Sequence, residues 1–119
     1  MKLDHIVLFL SDLDRCVPFY DQLLPLLGFE KIRDHVFANA EAIHFDLRPA
    51  SEPERDYHRY APGLNHLAFT AESLDQIVKI SETMAAAGFS IPEIQQFPDG
   101  SALFLRDLDG MRVELGVYD

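Results

Sequence analysis

The chain has 119 residues, enough for one compact domain or for two half-domains that share a core. Hydrophobic residues make up 48% and charged residues 25%, which is ordinary globular usage and argues against disorder. Ten Lys and Arg against twenty Asp and Glu give a formal net charge of −10. This balance argues against nucleic acid as a partner, because phosphate binding needs a basic patch.

Cysteine content and the N-terminal residues set the expected compartment. Cys16 is the only cysteine, so an intramolecular disulfide and a cysteine-cluster metal site are excluded. No apolar run approaches the roughly 18 to 20 residues of a membrane-spanning helix, so we expect no membrane partner. Residues 1–5 already contain an acid and a histidine, which is not typical of the start of a signal peptide. The cytoplasm is therefore the expected location.

The first half of the chain predicts one strand, one helix and three shorter strands. Residues 3–10 are rich in Ile, Val, Leu and Phe, which is typical of a strand. After the helix, further strands are expected at 29–33, 35–38 and 42–48. The prolines and dense charge of residues 50–63 predict a linker, either a plain tether or a lid over a site.

An amphipathic helix is predicted between the first two strands. Ser11 and Asp12 are candidate N-caps, and Gly28 lies where a C-cap glycine belongs. Pro25 predicts that the helix ends or kinks before Leu26. The apolar stripe recurs at spacings of three and four residues and consists of Leu13, Val17, Tyr20, Leu24 and Leu27.

The second half repeats this layout, which indicates an internal duplication. Residues 3–8 return as residues 64–69, 61 positions later. Further pairs follow in the same order: Gly28-Phe29 with Gly88-Phe89, and Asp46 with Glu114. The predicted elements of this half are a strand at 64–70, a helix between Ser73 and Gly88, and strands at 90–97, 101–106 and 111–118. We therefore predict two βαβββ modules, at 1–49 and 64–119, within one domain.

The duplication pairs two histidines with two carboxylates. Strand alternation places His5 opposite the larger aliphatic residues of the first strand, and His66 occupies the matching position. Asp46 and Glu114 lie among apolar neighbours at equivalent places on the last strand of each half. If a pseudo-two-fold axis relates the halves, these four side chains converge. They suit Zn, Mn, Fe, Ni or Co better than Ca, and a bound metal would remove the cost of burying a carboxylate.

Each of these residues also has a structural interpretation. A strand histidine often only packs, and Glu114 taken alone is compatible with a solvent-facing edge strand. Asp46 is one methylene shorter than Glu. In addition, His44, two residues away on the same strand face, is an alternative ligand or a proton shuttle. The repeat favours a site at His5, His66 and Glu114.

Several residues near the predicted ligands have two alternative roles each. Phe9 and Phe104 would either wall an apolar pocket or belong to the core. Arg48 and Arg112 flank the carboxylates in sequence and either bind an anionic substrate or are solvated. Surface positions are predicted for the two histidines that have no repeat partner, His35 and His58.

Five segments carry a resemblance to a known family. They are Leu-Asp-His-Ile-Val at 3–7, Phe-Tyr at 19–20, Leu-Gly-Phe at 27–29, Leu-Asn-His-Leu-Ala-Phe at 64–69 and Arg-Asp-Leu-Asp-Gly-Met-Arg-Val-Glu-Leu at 106–115. Together they resemble the vicinal oxygen chelate superfamily over nearly the whole chain except the connection between the halves. That group includes glyoxalase I, extradiol dioxygenases, metal-dependent fosfomycin-resistance transferases, methylmalonyl-CoA epimerase and bleomycin-resistance proteins.

The resemblance implies an α+β fold in which two tandem βαβββ modules form an incomplete barrel around a shared cleft and a divalent metal. By position, the metal ligands would be His5, His66 and Glu114, with Asp46 at the place of a fourth. Glu114 or Asp46 would be the general base of lyase or isomerase chemistry, which is slightly favoured over iron-dependent ring-cleaving dioxygenase chemistry. Such relatives are often dimers, so we expect a homodimer that acts on a small-molecule substrate.

The alternative function is a metal-free protein that sequesters a cationic drug, as bleomycin-resistance proteins do. The net charge of −10 favours it, because an acidic cleft attracts cations. His and Glu at the ligand positions argue against it, because a sequestering pocket has no use for them.

Overall fold

The computed structural model describes all residues from 1 to 119. The chain divides into two compact units, Met1–Asp56 and Tyr57–Asp119. The first contains β1 (His5–Leu10), α1 (Leu13–Leu26), β2 (Glu30–Arg33), β3 (Val36–Ala38) and β4 (His44–Pro49). The second contains β5 (His66–Thr70), α2 (Leu74–Ala86), β6 (Gln95–Phe97), β7 (Gly100–Arg106) and β8 (Arg112–Tyr118). Neither helix has the length and apolar character needed to cross a membrane.

Both units have the same sheet topology. The strand order is β1-β4-β3-β2 in the first unit and β5-β8-β7-β6 in the second. In each unit the first and last strands pair in parallel, and the remaining neighbours pair antiparallel. A parallel pair needs a long crossover connection, which here includes the helix. This arrangement confirms the prediction of an α+β fold built from two βαβββ modules.

The same capping geometry begins and ends both helices. The side chains of Asp12 and Ser73 each accept a hydrogen bond of 3.2 Å from the backbone N–H three residues on. At the other end, Gly28 and Gly88 adopt positive φ angles of 90° and 98°. The phenylalanine after each glycine donates its backbone N–H to the carbonyl five residues earlier. The repeated Gly-Phe pair is therefore the turn that ends each helix.

Each helix packs against the sheet of its own unit, and this contact forms the core. The fully buried side chains of the first unit are Leu10, Tyr20, Leu23, Leu24, Phe37, Phe45 and Leu47, and those of the second are Ile77, Met84, Leu103, Leu105 and Leu115. Along β1, Leu8 and Leu10 are buried whereas Val7 and Phe9 are exposed. His5 shares the face of Val7, so it lies opposite the helix as predicted.

Two local predictions are wrong. The first helix runs through Pro25 to Leu26, because Pro25 lies in the last turn and its carbonyl accepts the N–H of Gly28 within the terminal turn. The strand predicted at 90–97 is only Gln95–Phe97, where pairing with β7 begins. His35, which was predicted at the surface, is partly exposed and lies in the β2–β3 turn with a φ of 64°.

Candidate metal site

His66 and Glu114 meet on one sheet face of the second unit. The parallel pairing of β5 with β8 sets Ala68 opposite Glu114, so His66 and Glu114 project from the same face of adjacent strands. Nε2 of His66 lies 2.9 Å from Oε2 of Glu114. Glu114 is only 8% exposed, although it carries a charge. A buried carboxylate of this kind needs a cationic or hydrogen-bonding partner on each oxygen.

The other nitrogen of His66 is bonded to the residue that precedes it. Nδ1 of His66 lies 2.7 Å from Oδ1 of Asn65. The amide of Asn65 donates from Nδ2 to the carbonyl oxygen of Arg59 at 2.9 Å. Nη2 of Arg112 donates to the same Oδ1 at 3.3 Å. These two bonds fix which way the amide points, so Asn65 offers an acceptor to His66, and Nδ1 carries the hydrogen.

Tyr118 holds the second oxygen of Glu114. Its hydroxyl donates to Oε1 at 2.6 Å. This hydrogen bond, with burial and the negative charge of Glu114 as further causes, raises the pKa of Tyr118 to about 12. Gly116 leaves the space that the ring needs, because a Cβ there would lie 2.5 Å from a ring carbon of Tyr118.

Phe104 and Arg112 border the His66–Glu114 contact. Phe104 is the register partner of Glu114 on β7, and its ring meets the His66 ring edge-on at 6.1 Å between centroids. Arg112 is the register partner of His66 on β8. Its guanidinium lies over the Phe104 ring, 5.1 Å from the centroid. Both residues therefore lie beside the candidate ligands, and Arg112 packs on an aromatic ring.

The first unit places the corresponding residues around a cavity. His5 and His44 are register partners on β1 and β4, and Asp46 follows on the same face. The cavity has a volume of about 290 Å³ and is lined by Asp4, His5, Arg33, Val36, His44, Asp46 and Arg48. The predicted equivalence of Asp46 with Glu114 is confirmed by register, because each lies two residues after the partner of the strand histidine. Phe9, by contrast, is 60% exposed on β1.

Asp46 has a different partner from Glu114. Arg48 donates to Oδ2 of Asp46 from Nε at 2.9 Å and from Nη2 at 2.5 Å. These bonds hold the pKa of Asp46 below its usual value. His5 has its own bonded neighbour, since its Nδ1 lies 2.7 Å from Oδ2 of Asp4. This bond lowers the pKa of Asp4.

The residues of the second unit fit a divalent cation. With its hydrogen on Nδ1, a neutral His66 turns the lone pair of Nε2 toward the carboxylate of Glu114, so two acceptors face each other across 2.9 Å. A cation between or beside them, either a proton or a metal ion, resolves this conflict. Imidazole nitrogen and carboxylate oxygen are donors that suit zinc and its first-row neighbours. Within each unit, no group of three His, Cys, Asp or Glu side chains could hold a metal ion.

Sequence reasoning missed three residues that touch the candidate ligands: Asp4, Asn65 and Tyr118. A signal for the first two was present, because an Asp or Asn precedes the histidine in both repeats. Tyr118 lies four residues beyond Glu114 at the end of β8. In an ideal extended strand these two side chains lie too far apart to bond, so no strand pattern predicts their contact.

Comparisons with known proteins agree with the topology. The chain is 35% identical over 121 residues to the uncharacterized protein YqjT of Bacillus subtilis (strain 168), covering 93% of this chain and 94% of that protein. A glyoxylase/bleomycin resistance protein/dioxygenase domain from Frankia sp. EAN1pec has a similar structure, with a TM-score of 0.81, 23% identity and coverage of 100% and 93%. The fosfomycin resistance protein FosX from Listeria monocytogenes has a TM-score of 0.75, 19% identity and coverage of 100% and 94%.

A family model matches most of the chain. The model of the Glyoxalase/Bleomycin resistance protein/Dioxygenase superfamily matches residues 2–115. This range contains all four predicted ligands and nearly all of both modules. The chain therefore belongs to the Glyoxalase/Bleomycin resistance protein/Dioxygenase superfamily.

Proposed function

We propose that the protein is a divalent-metal-dependent enzyme whose metal ligands are His5, His66 and Glu114. The observation that carries the proposal is the 2.9 Å contact between Nε2 of His66 and Oε2 of Glu114. That contact leaves two acceptor atoms in need of a cation beside the buried carboxylate of Glu114. His5 presents the equivalent imidazole in the first unit, and the ligands would come from one chain or from two copies.

The proposed chemistry is lyase or isomerase chemistry on a small molecule with adjacent oxygens. When bound, the metal would supply Lewis-acid polarisation of a substrate oxygen. Glu114 would be the base when Oε2 is not serving as a ligand, accepting there the proton from the substrate carbon next to the polarised oxygen, while Tyr118 keeps Oε1 in place. Phe104 would exclude water from one side of this pair. Ring-cleaving dioxygenase chemistry is less favoured, and it would require iron at the same residues.

Asp46 is the candidate for a fourth ligand or a second base. Its bonds from Arg48 already neutralise it, whereas Glu114 is bonded to an uncharged hydroxyl. A carboxylate that has no cationic side chain bonded to it attracts a metal ion more strongly. We therefore propose that Asp46 contributes less to metal affinity than Glu114.

Metal analysis of protein purified without added ions tests the proposal. We expect a near-stoichiometric transition metal in the wild type, and we expect its loss in His66→Ala and Glu114→Gln. Asp46→Asn should retain most of it. His58→Ala is the matched control, because His58 is an exposed histidine of the same unit. A screen of hemithioacetals, catechols and fosfomycin would then identify the substrate class.

Binding of a cationic compound without metal is the second candidate function. The net charge of −10 favours it. Absence of metal even after soaking, together with saturable binding of a cationic drug, would replace the enzymatic proposal with this one.

We further propose a cytoplasmic homodimer. The exposed Val7 and Phe9 on the helix-free face of β1 support association, which light scattering would measure.

A further inference from the structure

Each candidate ligand histidine is bonded to the side chain of the residue just before it. Oδ2 of Asp4 lies 2.7 Å from Nδ1 of His5, and Oδ1 of Asn65 lies 2.7 Å from Nδ1 of His66. The two pairs are 61 positions apart, at the offset of the internal repeat. The same contact therefore occurs in both units, although one partner is an acid and the other an amide.

The position of these pairs in the fold explains how neighbours can bond. Successive side chains within a strand point to opposite faces, so they do not normally meet. Strands β1 and β5 begin at His5 and His66, and Asp4 and Asn65 lie immediately before them. Both residues precede the first residue of a strand, so regular alternation does not set their side chains on the opposite face, although the carbonyl of Asp4 already accepts the N–H of His44 on β4.

The contacts determine which ring nitrogen carries the hydrogen. An ionised Asp4 is an acceptor only, so Nδ1 of His5 must be the donor. Asn65 could present either end of its amide, but its Nδ2 is already bonded to the carbonyl of Arg59 at 2.9 Å. In both units Nδ1 therefore carries a hydrogen, and Nε2 of a neutral ring keeps its lone pair, which in His66 faces Oε2 of Glu114 at 2.9 Å.

We propose that Asp4 and Asn65 are positioning residues that hold His5 and His66 as Nδ1–H tautomers, in which the lone pair of Nε2 is available to a cation. At His66 this cation would lie beside Oε2 of Glu114. The role of these tautomers in metal binding rests on the proposed function. The tautomers themselves should already be present in the metal-free protein. Partners that orient ligand histidines in this way typically change metal affinity 10–100-fold when they are removed.

Nitrogen NMR on ¹⁵N-labelled, metal-free protein tests the tautomers directly, at a pH where the imidazoles are neutral. We expect Nδ1–H rings for His5 and His66 in the wild type. Asp4→Ala should move only His5, and Asn65→Ala only His66, toward the Nε2–H form that free histidine prefers. Asn65→Asp keeps an acceptor and should restore the Nδ1–H ring. Asn39→Ala is the matched control, because Asn39 bonds the backbone of a first-unit turn.

Metal titration of the same variants supplies the second measurement. We expect Asn65→Ala to weaken metal binding about 10–100-fold and Asn65→Asp to recover most of it. Wild-type rings in the Nε2–H form, or rings unchanged in both alanine variants, would overturn the proposal. Nδ1–H rings in a protein that binds no metal would confirm the tautomers and count against the proposed function instead.

Discussion

Glu114 and Asp46 occupy equivalent positions in the two units but have different bonding partners. Both follow the register partner of a strand histidine by two residues. Arg48 gives Asp46 a full positive charge, and Tyr118 gives Glu114 only a hydroxyl. The charge of Glu114 is thus left for a cation at the contact with His66, either a proton or a metal ion. Neither partner follows from strand alternation alone.

The Tyr118–Glu114 bond predicts an unusual titration. Of the four tyrosines, Tyr118 should ionise with a pKa of about 12, because the phenolate would lose its bond to a carboxylate. Glu114→Gln should lower that pKa toward the ordinary value of about 10, as measured by ultraviolet absorbance. The bond stabilises the fold fully below about pH 10, and its contribution is lost as the pH rises toward 12.

A phenylalanine variant tests whether the highest tyrosine transition belongs to Tyr118. Tyr118→Phe should remove the late-titrating tyrosine and leave three others unchanged. If the highest tyrosine transition survives in Tyr118→Phe, it belongs to another residue and the bond to Glu114 does not form.

At the level of secondary structure, the helices were the most predictable elements. Their apolar periodicity, the N-caps Asp12 and Ser73 and the terminal turns at Gly28 and Gly88 are all local signals. Strand bounds were less predictable, because a strand begins where a partner pairs with it. The short β6 shows this, since most of the run predicted at 90–97 has no neighbour.

Gly116 on strand β8 lies close against the Tyr118 ring. A Cβ on Gly116 would lie 2.5 Å from the Tyr118 ring and 3.2 Å from Oε1 of Glu114. Gly116→Ala should therefore push the ring away, destabilise the protein by about 1–3 kcal/mol and lower the pKa of Tyr118. Urea unfolding and the tyrosine titration measure the two effects.

A double variant separates this clash from a general effect on the strand. In a Tyr118→Ala background, Gly116→Ala should be much less destabilising, because the ring it displaces is gone. An equal loss of stability in both backgrounds would show that the added methyl group strains β8 itself.

For the whole molecule, metal binding should appear as added stability. An ion that binds only the folded chain raises the free energy of unfolding by about 2.7 kcal/mol at a concentration 100 times its Kd. We expect thermal unfolding to shift upward with a transition metal in the wild type and in His58→Ala, but not in His66→Ala. A similar shift in His66→Ala would place the bound ion elsewhere on this acidic chain.

The sequence by itself determined the duplication, the two βαβββ modules, the helix caps and the strand positions of His5, His66, Asp46 and Glu114. These features depend on residues close together in the chain, through periodicity, capping and alternation. Only the tertiary structure decided which group each of these side chains meets: Asp4, Asn65, Arg48 and Tyr118. The reason is physical, because these partners are near in sequence but rotamers and the space above Gly116 decide whether they touch, and the register of β5 against β8 brings His66 to Glu114.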